Sequence, residues 1–220
     1  MSDHDHHHHD DDHDHDDHDH EHDDDLVARR NALRAEALES ILVERGLVQA
    51  DLIDTIVARF EQDIGPLNGT KLVARAWIDP AFRARFVADA WAAAEELGLA
   101  TGPGHTPIVV LENGPAVHNV VVCTLCSCYP SALLGLPPTW YKSPPYRSRV
   151  VREPRVVLHE MGVDLASDVD VRVWDSSAEV RYMVLPERPA GTDGWSEVQL
   201  ASLITRDALI GVARPAVPNA

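Results

Sequence analysis

Between Leu26 and Gly46 the apolar residues Leu33, Ala37, Leu38, Ile41 and Leu42 recur at helical spacing, and Gly46 marks the stop. A second helix face follows in Leu52, Ile53, Ile56, Val57, Phe60 and Ile64. Two such helices hardly make a globule alone, so this stretch reads as an arm that packs on a partner. Asp79-Pro80 supplies an N-cap and a first-turn proline, and Phe82, Phe86, Ala90 and Ala94 predict a helix running to Gly98.

Beyond the glycines and prolines at 102–107 the pattern changes. Short β-branched runs at 108–111, 117–122, 169–174 and 180–185 read as strands, with helices at 155–161 and 196–204. The mixture predicts an α+β body in which helices cover sheets. Three regions follow: a tail at 1–25, helices at 26–100 and a domain at 101–220.

The tail changes the meaning of the charge. It holds ten of the thirteen histidines, twelve aspartates and one glutamate, and without its acids the formal net charge of −17 falls to near −4. So polar a tract cannot bury enough surface to offset its ordering entropy and is expected to be disordered. Its imidazoles and carboxylates suit loose binding of divalent cobalt, nickel or zinc; the plainer reading is a solvated tail. The folded part carries no charge pattern that points to nucleic acid. No run of about 18 apolar residues predicts a membrane span, and no apolar stretch after a basic start predicts a secretory signal.

All three cysteines, Cys123, Cys126 and Cys128, lie within six residues. With no other cysteine to pair with, they make no disulfide framework, which suits a reducing cytoplasm, and they point to a metal. A structural zinc needs a fourth ligand from elsewhere. Alternatively, Cys126-Ser127-Cys128 can wrap an ion through two thiolates and the backbone nitrogens of Ser127 and Cys128 in five- and six-atom chelate rings, which wants square or octahedral geometry and an ion such as trivalent cobalt or iron. The motif starts at the end of a strand, a rigid place from which to present loop amides.

The run Cys123-Thr124-Leu125-Cys126-Ser127-Cys128, preceded by His118-Asn119-Val120-Val121-Val122, resembles the metal site of the nitrile hydratase alpha-subunit family. The likeness continues through 63–69, 74–80, 136–142, 146–155, 185–189 and 205–207, and so covers roughly residues 26–214. The resemblance implies a layered α/β/β/α metal domain behind a helical arm that embraces a beta subunit. It implies cobalt(III), one per chain, with Cys123 axial, Cys126 and Cys128 equatorial through sulfur, and Ser127 and Cys128 through nitrogen. Thr124 looks like the cobalt class, where iron(III) members usually carry serine. In the family's active form Cys126 is a sulfinate and Cys128 a sulfenate, so these two are the catalytic candidates. Two arginines of the beta subunit hold the oxidised sulfurs, and a small activator helps load cobalt.

Where the family often has tryptophan and then proline after the last cysteine, this chain has Ser131 and Ala132. Smaller side chains predict a roomier pocket and a bulky or aromatic nitrile. Gly104 stands near the position of a supporting glutamine, with His105 as a candidate replacement. The plainer readings are that His118 is structural, His159 is on the surface, Trp140 and Tyr141 are core or interface anchors, and Tyr146, Arg147, Arg149 and Arg152 serve an interface or solvent. The gamma subunit of thiocyanate hydrolase shares the motif, cobalt and a similar histidine-aspartate beginning, but Ser131 offers no cation at the position where that subunit carries arginine. A non-catalytic cobalt carrier is the remaining alternative.

Overall fold

The computed structural model describes residues 17–62, 67–99 and 106–215. The chain divides into two compact units, 1–55 and 56–220. In the first, helix α1 (Asp17–Glu44) ends where Gly46 adopts φ +67 and accepts no Cβ penalty, with the amides of Gly46 and Leu47 closing on the carbonyls of Val43 and Leu42. Leu33, Leu38, Ile41 and Leu42 are exposed along it. Helix α2 (Leu52–Gln62) follows. Ile64, Gly104, His105 and residues 1–16 lie outside the described residues.

Residues 17–25 are the opening turns of α1. The helices after residue 66 lie in the second unit, 56–220. Helix α3 (Leu67–Ile78) buries Leu72, Val73 and Ala76 completely or nearly so. A Cβ on its Gly69 would stand 2.8 Å from Leu209 Cδ1 and 3.2 Å from the Leu133 carbonyl oxygen, so only glycine lets α3 approach this closely.

The helix expected from Pro80 to Gly98 is two: α4 (Pro80–Ala88) and α5 (Ala90–Glu96). Asp89 sits between them in extended backbone (φ −152, ψ 103), and its carboxylate accepts from the amides of Trp91 and Ala92. An aspartate that can cap a new helix competes with continuing the old one. The apolar period survives the break, and Phe82, Phe86, Ala90 and Ala94 are all buried.

The strands match the β-branched runs. β1 (Ile108–Glu112) pairs in parallel with β4 (Arg181–Leu185), and β2 (Val117–Val122) pairs in parallel with β3 (Asp170–Asp175). Between β2 and β3 run α6 (Ser131–Leu134), a 3-10 turn at Thr139–Lys142, α7 (Pro144–Arg152) and α8 (Pro154–Glu160); α9 (Glu197–Ala201) follows β4. The two sheets meet through β1, β2 and β4, with α4 and α5 against β1 and α8 against β3, which is the layered arrangement expected. Buried Asn119 ties the sheets: its amide donates to the Glu112 carbonyl (2.9 Å) and Asn113 Oδ1 (3.0 Å), and its oxygen accepts from Trp174 Nε1 (2.9 Å). No helix among the described residues is long and apolar enough to cross a membrane.

Candidate metal centre

Strand β2 ends at Val122, so Cys123 leaves the sheet at its carboxyl edge, level with Asp175 at the end of β3. Strand ends of parallel sheets are where functional loops gather. Asp175 anchors the loop as it begins: its Oδ1 accepts from the Thr124 amide at 2.9 Å and its Oδ2 from the Thr124 hydroxyl at 2.5 Å. The loop ends on the other side against an aromatic group. Tyr129 and Tyr141 meet edge to face at 5.1 Å and Trp140 and Tyr146 at 4.9 Å; the Tyr141 hydroxyl donates to the Cys128 carbonyl (3.0 Å) and the Tyr146 hydroxyl to the Val121 carbonyl (2.8 Å). Helix α7 adds Arg147, whose Nη1 donates to the Cys126 carbonyl at 3.1 Å.

Between these anchors the three sulfurs converge. Sγ of Cys126 lies 3.4 Å from that of Cys123 and 3.1 Å from that of Cys128, and the Cys126 amide donates to Cys123 Sγ at 3.3 Å. Cys123 and Cys128 are buried while Cys126 is exposed. The Cys126 thiol is lowered to about 7, first by Cys128, then by Cys123 and by the backbone amides of Cys128 and Ser127 that face it. Burial pushes the Cys128 thiol up to about 12, with the nearness of Cys126 adding to it.

This arrangement fits an ion. Sulfurs at right angles around a centre roughly 2.3 Å from each stand roughly 3.2 Å apart, against roughly 3.8 Å for tetrahedral ligands. The observed spacings of 3.1 and 3.4 Å match the first.

The remaining residues singled out by sequence divide into two groups. Ser131 opens α6, half-buried, three positions beyond Cys128, with its amide on the Tyr129 carbonyl. His118 is buried on β2 between the Gly211 carbonyl (2.7 Å) and Asn113 (3.2 Å), and His159 is exposed beside Asp164, so both are structural or surface groups. Tyr141 is fully buried, and Arg149 bridges Glu153 and Glu160 on the surface. Arg147 departs from expectation: it holds the cysteine loop. Sequence reasoning missed Asp175 altogether, and also Arg181, the first residue of β4, whose charge acts on Cys128 and whose enclosed Nη1 has no hydrogen-bond partner. The strand periods around both were legible, but not their meeting with the loop.

A parallel-strand edge carrying three converging thiols defines a thiolate metal protein. The chain belongs to the family described as nitrile hydratase, alpha chain, whose profile matches residues 29–213. It is 55% identical over 188 residues to the low-molecular weight cobalt-containing nitrile hydratase subunit alpha of Rhodococcus rhodochrous, covering 86% of this chain and 90% of that one. Thiocyanate hydrolase subunit gamma of Thiobacillus thioparus is 43% identical over 189 residues, 81% of this chain and 77% of its own. Among solved structures, a double mutant of the iron-type nitrile hydratase from Comamonas testosteroni Ni1 resembles it with a TM-score of 0.79 and 47% identity, covering 86% of this chain and 92% of that chain.

Proposed function

We propose that the chain is the alpha subunit of a cobalt nitrile hydratase, acting with a beta-type subunit to convert a nitrile to its amide. The observation that carries this is the convergence of the three sulfurs at the carboxyl end of β2, with Cys126 Sγ 3.4 Å from that of Cys123 and 3.1 Å from that of Cys128. Cys123, Cys126 and Cys128 through sulfur, and Ser127 and Cys128 through nitrogen, would hold the metal. Cobalt(III) in that position supplies a Lewis acid that polarises a carbon–nitrogen triple bond without redox cycling.

The chain's own groups then divide the work. Exposed Cys126 would be open to the higher oxidation state, the sulfinate, and buried Cys128 would stop at the sulfenate, with an external oxidant such as dioxygen taking up the electrons. The sulfenate oxygen of Cys128 would act as base on a water that adds to the nitrile carbon, or as nucleophile itself with water then restoring the sulfenate; either way one oxygen is added to carbon and two protons to nitrogen, giving the amide. Arg147 and Tyr141 hold the carbonyls on either side of Ser127, so the amide ligands stay aimed while the sulfurs change charge. Exposed apolar residues of the helical arm support packing on the beta subunit, whose arginines would bind the oxidised sulfurs.

Ser131, small and half-buried, supports a bulky or aromatic nitrile. It also favours nitriles over thiocyanate, since an anionic substrate gains from a cation that serine lacks. The test is coexpression with the neighbouring subunit genes, and any activator, in cobalt medium, followed by amide formation from an aryl nitrile beside thiocyanate turnover. Amide alone supports the proposal. Thiocyanate turnover alone moves the chain to the gamma subunit of thiocyanate hydrolase. Neither activity, with cobalt held only by the tail, supports a carrier.

A further inference from the structure

At the end of the sheets opposite the cysteines, the residues that follow β1 and β4 enclose a cleft. The two strands finish in register at Glu112 and Leu185, and the Asn113 amide closes on the Leu185 carbonyl at 3.0 Å. Asn113 and Pro186, the next residue of each strand, line a cavity of about 270 Å³ together with Arg188, Pro189, Arg214 and Pro215. An adjoining hollow of about 300 Å³ shares Asn113, Pro186, Glu187 and Arg188 with it. Strand β2 starts from the turn beyond Asn113 and carries the chain roughly 20 Å before it reaches Cys123, so the cleft is separate from the metal centre. Carboxyl ends of parallel strands are a common seat of ligands.

Arg188 is held in place there without being neutralised. Its Nε donates to the Thr192 hydroxyl at 2.9 Å, its Nη1 to the Trp77 carbonyl at 3.4 Å and its Nη2 to the Thr192 carbonyl, all uncharged oxygens. Thr192 is itself buried and donates to the Pro189 carbonyl at 2.8 Å, so the group that fixes the guanidinium is fixed in turn. Among the described residues no carboxylate pairs with Arg188, and a guanidinium has more N–H groups than these three bonds use. A half-buried charge without a counter-ion favours an anion. The other charges do not supply one: Arg83 is bonded to Glu112 at 2.7 Å, and Glu187 meets Arg214 at 3.6 Å. Two arginines against one glutamate leave the cavity with one positive charge in excess.

We infer that this cleft is a binding site for a small organic carboxylate. The single excess charge matches a monoanion, and Glu187 opposes the second charge of a phosphate. Guanidinium N–H groups match the two oxygens of a carboxylate, and the rings of Pro186, Pro189 and Pro215 give apolar walls to the organic remainder. The inference does not rest on the nitrile reading.

The test uses the full chain coexpressed with its partner subunits, with 4-fluorobenzoate as the probe and fluorine NMR as the readout near neutral pH. We expect saturable binding of the carboxylate and far weaker binding of uncharged 4-fluorobenzyl alcohol. Arg188→Met should weaken 4-fluorobenzoate at least about tenfold, and Arg214→Ala about two- to fivefold. Glu187→Gln removes the opposing charge and should tighten binding about two- to fivefold, a gain that a misfolded variant would not give. No binding, equal binding of the alcohol, binding that survives Arg188→Met, or unchanged or weaker binding in Glu187→Gln would each overturn the site.

Discussion

Asp175 grips Thr124 with both carboxylate oxygens, taking the backbone amide at 2.9 Å and the hydroxyl at 2.5 Å across 51 residues of sequence. This contact makes the end of β3 the fixed point from which the cysteine loop is built. It also gives Thr124 a reason to be there that involves no metal ligation. Thr124→Ser keeps both contacts and should load cobalt normally. Asp175→Ala loses both and should cost about 1–2 kcal/mol in stability, with lower cobalt content and incomplete cysteine oxidation. Metal analysis and mass spectrometry of the loop peptide check this; full cobalt loading in Asp175→Ala would show that the loop forms without its anchor.

Tyr141 supports the same loop from the other end. Tyr141→Phe keeps the buried ring packing and removes only the hydroxyl that meets the Cys128 carbonyl. A loss of about 1–3 kcal/mol is expected if that carbonyl stays buried and unpaired. Because the change loosens a metal loop and no substrate contact, it should appear in kcat with KM little altered. A KM effect alone would count against this role.

Ser131 should set the size of substrate accepted. Ser131→Trp fills space beside the cysteine loop, and kcat/KM for an aryl nitrile should fall about tenfold or more relative to acetonitrile. A parallel loss for both nitriles would mean that residue 131 affects folding or loading and not selection. Wild-type turnover of acetonitrile equal to or better than that of aryl nitriles would also argue against an open pocket.

Gly211 tolerates no side chain. It adopts φ +84, and a Cβ there would run into the carbonyl of Asn119 on β2, one residue from His118, which bonds the Gly211 carbonyl. Neither clash partner is a flexible tip, so relief needs the strand to move. Gly211→Ala should lose more than about 3 kcal/mol or fail to accumulate as folded protein. A melting temperature close to wild type would contradict the close approach.

His118 gives the fold a pH dependence of known sign. Burial lowers its pKa from the ordinary value, against a smaller opposite effect of the Gly211 carbonyl. In the unfolded chain the imidazole takes a proton near pH 6.5, while the folded one stays neutral to lower pH. Stability is therefore full above about pH 6.5 and declines as pH falls through that value, by at most about 1.4 kcal/mol per pH unit, levelling off once the folded imidazole also titrates. Urea midpoints for wild type and His118→Asn between pH 5 and 8 should converge toward acid. Parallel curves would assign the slope to other groups.

The sequence by itself determined the features that depend on near neighbours along the chain. β-branched runs bounded by glycine and proline placed all four strands to within a residue or so, because a strand's composition reflects its own burial. Cys123, Cys126 and Cys128 were legible as one site because six residues cannot separate three sulfurs far. Tertiary structure alone decided what the distant parts do. The parallel pairing of β2 with β3 brings Asp175 to Thr124, and β4 brings Arg181 toward Cys128. Helix α7 turns Arg147 from a surface charge into a clamp on Cys126, and the 3-10 turn sets Tyr141 on Cys128. Asp89 breaks a helix whose apolar period runs on unbroken, since a side chain that caps competes with the backbone without disturbing the pattern. Period and propensity act over a few residues, whereas these contacts span tens, and only a folded chain brings such residues within hydrogen-bonding distance.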